Sequence, residues 1–88
     1  MTYVIIVYDI SVERVNKVCQ FLRTHLNWVQ NSVFEGELSE SGLEKIRHGL
    51  KRLINKDVDS VLFYIFSSRK LVKREQVGIE KNTLSTLI

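Results

Sequence analysis

Two stretches of the chain show no polar alternation. Tyr3-Val4-Ile5-Ile6-Val7-Tyr8 and Val61-Leu62-Phe63-Tyr64-Ile65-Phe66 are apolar or aromatic throughout. β-Branched and aromatic residues crowd both, so both are predicted as strands buried on two faces, each the other's central partner. Between them the period changes. Val12, Val15, Val18, Cys19, Leu22 and Leu26 recur at helical spacing, with Glu13, Arg14, Lys17 and Gln20 toward solvent. Leu43, Ile46, Leu50, Leu53 and Ile54 repeat that pattern and predict a second helix to about Asn55.

Helix starts and turns fill in the order. Ser11 or Asp9 can cap the first helix, and Ser41-Gly42-Leu43-Glu44 reads as a capping box opening the second. The stretch 27–38 has strand composition, but Asn31-Ser32 is a turn-prone pair in its middle. It splits into strands near 27–30 and 33–38, although one bulged strand fits as well. Gln76-Val77-Gly78-Ile79 can pair as a short strand, and the tail Thr83-Leu84-Ser85-Thr86-Leu87-Ile88 alternates apolar and polar. The resulting βαββαβ order puts two helices on one face of a small antiparallel sheet, an α+β, ferredoxin-like arrangement. Residues 1–88 make a single domain with a C-terminal β extension at about 77–88. That tail has no core of its own left to cover, so it is predicted to pair with an edge of a second copy in a strand-exchanged homodimer.

Composition narrows the class. An apolar fraction of 44% with 26% charged residues is that of a globular chain and excludes a disordered one. The apolar runs are far too short to span a bilayer, and the N-terminal one ends in Asp9 and lacks the form of a secretory leader. The single Cys19 excludes an internal disulfide and reads as a small buried hydrophobe. The expected location is the cytoplasm, with no membrane partner. A net charge of +3 favours an anionic partner.

Few conventional catalytic sets are present in the sequence. His25 and His48 have no ligand at zinc spacing, the four glycines are isolated, and no nucleophile–base set is legible. Asp9 remains: a carboxylate at the tip of a central strand is fixed by its scaffold yet open to solvent. It can serve as a metal ligand or general base, or only bond the turn that follows. Its hard oxygens suit Mg²⁺ or Mn²⁺, and a dimer axis could bring two copies of Asp9 together. Lys45, His48, Arg52 and Lys56 form a basic stripe on the second helix, and Arg69, Lys70, Lys73 and Arg74 a basic run after the last strand. Both can meet a phosphate backbone, and both can be solvated faces.

Several segments resemble one family. They are the strand end Val7-Tyr8-Asp9-Ile10, the helix segment Arg14-Val15-Asn16-Lys17-Val18, the run Val29-Gln30-Asn31-Ser32-Val33-Phe34-Glu35-Gly36-Glu37-Leu38, and Gly78-Ile79-Glu80-Lys81. In this order they resemble the small ferredoxin-like endonucleases known as CRISPR-associated protein two. The resemblance implies a homodimer with crossed C-terminal strands. It also implies Mg²⁺-dependent phosphodiester hydrolysis in single-stranded RNA or double-stranded DNA, and a part in spacer acquisition beside the CRISPR adaptation integrase. It assigns catalytic positions to Asp9, Tyr8, Ser32 and Phe34, with Asp9 on the metal, and nucleic-acid contacts to Arg14 and Lys17. Trp28 stands where the family often has a cation. Tyr8 and Phe34 fit core packing as well, Phe34 otherwise stacking on a base. Two function classes follow: a metal-dependent endonuclease, and a non-catalytic dimeric adaptor that holds DNA between integrase subunits. A small-molecule regulatory domain is a third, disfavoured by the missing glycine-rich loop.

Overall fold

Val4, Ile6 and Tyr8 point to one side of the first strand, and Tyr3, Ile5 and Val7 to the other. In the computed structural model, which describes residues 1–81, that strand is β1 (Thr2–Asp9). It is followed by α1 (Val12–Arg23), β2 (Asn27–Gln30), β3 (Val33–Leu38), α2 (Glu40–Leu53) and β4 (Ser60–Phe66), then a single 3₁₀ turn at Arg69–Leu71. The sheet order is β2-β3-β1-β4, with every pairing antiparallel. This is the ferredoxin-like βαββαβ arrangement expected from the pattern. The core lies between the helices and one sheet face, where Val4, Ile6, Tyr8, Phe34 and Leu38 meet Val18, Leu22, Leu43, Ile46 and Leu50.

Among the described residues no helix covers the other sheet face. Ile5 and Val7 are half-buried there, and on β4 Leu62 and Tyr64 are 50% and 48% exposed. This corrects two expectations. β1 is central but fully covered on one side only, and β4 is an edge strand and not a second central one. The alternation is invisible in the sequence because both faces of these strands are apolar, although only one meets a core.

Local chemistry sets the remaining boundaries. Ser11 is the N-cap of α1, but through its carbonyl, which accepts the Arg14 and Val15 N–H groups; its side chain makes no cap bond. Val12, expected in the apolar face, is 83% exposed. α2 starts before the expected box: Ser39 Oγ accepts the Gly42 N–H at 3.1 Å. Asn31 takes a left-handed φ of 41° in the β2–β3 turn, which Asn tolerates, and a bulge between Trp28 and Gln30 completes the reversal. The two-strand reading of 27–38 therefore holds. The tip of the Phe21 ring enters a notch at Gly49, where a Cβ would overlap Cζ, so the helices meet closely there. Gln76, Val77, Gly78 and Ile79 do not form the expected strand; they are exposed coil. The expected tail strand 83–88 lies outside the described residues.

Candidate functional site

Strand alternation places Asp9 on the open sheet face, in line with Tyr3, Ile5 and Val7, while Tyr8 turns into the core. Asp9 pairs in register with Ser60 of β4 and is exposed. Its carboxylate makes no hydrogen bond or ion pair with the described residues. It does not cap α1.

The three other family positions sit behind it. The Tyr8 hydroxyl lies 3.1 Å from Cys19 Sγ and donates to the Asn31 carbonyl at 3.3 Å. Burial, with the Cys19 contact, pushes its pKa well above the ordinary phenol value, so it stays protonated. Its ring lies 6.0 Å from that of Phe34, centroid to centroid. Phe34 is buried completely, so it offers no face to a base. Ser32 is half-buried, and its carbonyl accepts the Tyr8 N–H at 3.0 Å. Tyr8 and Phe34 pack in the core and the Ser32 carbonyl holds the Tyr8 N–H; together they fix the end of β1 beside the exposed Asp9.

The residue that sequence reasoning missed is Asp59, treated there as part of a loop. It is buried one position before β4. Its Oδ1 accepts the Ser11 N–H at 3.0 Å, and its Oδ2 accepts the Asn55 N–H at 2.8 Å. Arg14 completes the set with Nε at 2.6 Å from Oδ2 and Nη2 at 3.0 Å from Oδ1. The Arg14 guanidinium, aided by these backbone donors, holds the Asp59 carboxyl well below the usual carboxylate range. Arg14, to which the resemblance gives a nucleic-acid contact, has its guanidinium bonded to Asp59 and, through Nη1, to Glu13. The clasp ties the β1–α1 turn to the α2–β4 turn beside Asp9.

The predicted cations divide between two faces. Lys17 is exposed on α1, and Lys56 is exposed past the end of α2. Lys45, His48 and Arg52 line a groove of about 830 Å³ between the helices, with Phe21, His25 and Gly49. Arg69, Lys70, Lys73 and Arg74 follow β4, and two of them reach the open face. Arg74 Nη1 donates to Glu35 Oε1 at 2.8 Å, and the Tyr3 hydroxyl donates to Glu35 Oε2. Arg69 lines the same cleft of about 300 Å³. Burial and the bond to Glu35 raise the Tyr3 pKa to about 12. Arg69 and Arg74 therefore do not extend the α2 stripe as one surface; the sheet lies between them.

Among the described residues no three His, Cys, Asp or Glu side chains converge as a metal site. Asp59 is filled by its own partners. The Asp9 carboxylate is exposed, and its hard oxygens are of the type that Mg²⁺ takes together with water and phosphate oxygens. Among the described residues one such carboxylate stands at this strand end. No helix among the described residues is long and apolar enough to cross a membrane.

The family model for CRISPR associated protein Cas2 matches residues 1–74. A protein of Methanocaldococcus jannaschii named CRISPR-associated endoribonuclease Cas2 is 55% identical over 98% of this chain and 75% of its own length. One of Archaeoglobus fulgidus, named CRISPR-associated endoribonuclease Cas2 2, is 57% identical over 92% of this chain and 88% of its own. A solved structure described as the crystal structure of cas2 superposes with a TM-score of 0.84 at 51% identity, covering 91% of this chain and 90% of that one. On the strength of the family match over residues 1–74 and of relatives at this identity, the chain belongs to the CRISPR-associated Cas2 family.

Proposed function

We propose that this protein is a homodimeric, Mg²⁺-dependent endonuclease that hydrolyses phosphodiester bonds in RNA and takes part in spacer acquisition with the CRISPR adaptation integrase. The observation that carries the reading is Asp9: a carboxylate without a side-chain partner among the described residues, at the rigid end of a central strand, on the uncovered sheet face. The endoribonuclease names of the relatives support RNA as the substrate. The open face supports the dimer, because Ile5, Val7, Leu62 and Tyr64 leave an apolar surface around the Asp9 end of the sheet that a second copy would bury. Pairing about that face would bring a second Asp9 near the first.

In this reading Asp9 holds Mg²⁺ or Mn²⁺, which supplies charge stabilisation at the scissile phosphate and a more acidic bound water. The chain's own part is positioning. Tyr8 and Phe34 anchor the strand end in the core, and the Arg14–Asp59 clasp fixes the turn that leaves it. Asp59 stays ionised and occupied, so it does not compete for the metal. The test is a labelled single-stranded RNA and a labelled DNA duplex, each with Mg²⁺ and with EDTA, using the wild type and Asp9→Asn. RNA cleavage that is lost in EDTA and in the variant is expected. Undiminished cleavage in either would overturn the metal role of Asp9.

The adaptor reading has one observation in its favour: among the described residues the site has one uncommitted carboxylate, Asp9, and no cluster of metal ligands. A wild-type protein that binds duplex DNA and integrase but cuts neither substrate would establish it.

A further inference from the structure

The groove between α1 and α2 is on the helix side of the sheet, opposite Asp9, and the endonuclease reading does not use it. Its floor is apolar. The Phe21 ring stands tip-first in the Gly49 notch, and His25 meets it edge-on with centroids 5.4 Å apart. Its rim is cationic. Lys45, His48 and Arg52 follow one another at spacings of three and four, a row about 10 Å long on a helix. Glu44 is the carboxylate at this rim, and Arg47 pairs with it, so the row faces outward with its charge uncancelled.

We propose that this groove takes an unpaired base of a single-stranded nucleic acid, with the base against Phe21 and His25 and the flanking phosphates on Lys45 and Arg52. A strand of this kind alternates anionic and flat aromatic groups along one polymer, and the groove presents the matching pair of chemistries side by side. A duplex does not fit as well: its phosphates can reach the rim, but its bases are stacked inside and leave the apolar floor bare. The proposal rests on the nucleic-acid part of the function proposed above but not on Asp9 chemistry.

The experiment compares a single-stranded RNA, the same strand with its bases removed, and the complementary duplex, bound to the full chain without Mg²⁺. The intact strand should bind at least about fivefold more tightly than the abasic one, the lower end of a single stacked base. Phe21→Leu should erase that difference while keeping the salt dependence, and His25→Ala, farther from the helix contact, should reduce it with the fold intact. Lys45→Glu combined with Arg52→Glu should weaken both strands. Amide shifts should map to residues 45–52. Equal binding of the intact and abasic strands, or a difference that survives Phe21→Leu and His25→Ala, overturns the proposal. So does a groove filled instead by an acidic, tryptophan-bearing peptide, which would identify a protein partner. The titrations contain no Mg²⁺ and read binding alone, so failure here leaves Asp9-dependent cleavage standing, and failure of cleavage leaves this site standing.

Discussion

Arg14 and Asp59, 45 residues apart in sequence, meet through two nitrogens and two oxygens, with Nε 2.6 Å from Oδ2 and Nη2 3.0 Å from Oδ1. The Asp59 side chain is wholly out of solvent, while that of Arg14 is 24% exposed. A buried carboxylate that accepts two backbone N–H groups as well leaves no lone pair wasted. It also makes the pair hard to break from one side, since removing either partner strands the other.

The first prediction concerns acid. Asp59 is depressed below its unfolded value of about 3.9. Its contribution to stability is therefore complete above that value and declines as the pH falls through the lower folded value. Asp59→Asn keeps the shape and removes the charge. Urea unfolding should find the variant clearly less stable at neutral pH, with the gap to wild type narrowing as the pH drops below about 4. Parallel curves across that range would mean that the fold does not depress the Asp59 carboxyl.

How much of this was legible in the sequence depends on the range of the interaction. Asp9 was found because a strand end is a local pattern. Asp59 was missed because its partner is 45 residues away and nothing local distinguishes it from Asp57. The edge position of β4 was missed because an apolar run reports that a strand will be buried, not by what. Phe34 is a different case. Val33-Phe34-Glu35-Gly36-Glu37-Leu38 alternates cleanly, with Phe34, Gly36 and Leu38 buried and Glu37 exposed. The sequence leaves Phe34 open between core packing and base stacking, and the inward turn of β3 puts it in the core.

The core position of Phe34 gives the second prediction. Phe34→Ala should cost ~3–5 kcal/mol of folding stability, and Phe34→Leu less, because the lost volume lies at the centre of the packing. Nucleic-acid affinity of the folded Phe34→Leu protein should match wild type. A base-stacking residue would behave in reverse, losing ~1–3 kcal/mol of binding with little change in stability. Calorimetry and oligonucleotide titration on the same preparation separate the two.

The third prediction is the homodimer. Leu62 and Tyr64 stand on the open face of an edge strand, half-exposed in one chain. Substituting them costs a monomer little, since neither fills its core. A partner burying them would lose its apolar contact and gain a desolvated charge. Light scattering at micromolar concentration should give a dimer for the wild type and a monomer of unchanged helix content for Leu62→Lys combined with Tyr64→Lys. Removing residues 77–88 should also weaken the dimer if the tail crosses to the partner. A wild-type monomer, or a dimer indifferent to both changes, would exclude this interface.

The last prediction asks whether the two copies of Asp9 act together. One chain offers one free carboxylate at the strand end, and a metal shared across the dimer axis would take one from each copy. Mixing wild-type and Asp9→Asn subunits distinguishes a shared site from two independent ones. If each Asp9 serves its own site, activity per subunit falls in proportion to the wild-type fraction, to about half in an equal mixture. If both carboxylates are needed, only dimers with two wild-type subunits work, and the equal mixture should retain about a quarter. The subunits must be denatured and refolded together so that exchange is random, and a tag on one of them confirms the binomial distribution. Asp9→Asn carries no change on the interface side chains Leu62 and Tyr64, so mixed dimers should form as readily as pure ones. A linear fall would remove the shared-metal arrangement while leaving Asp9 as a ligand in its own chain. A quadratic fall, with activity absent in EDTA, would tie the catalytic role of this family member to the dimer axis.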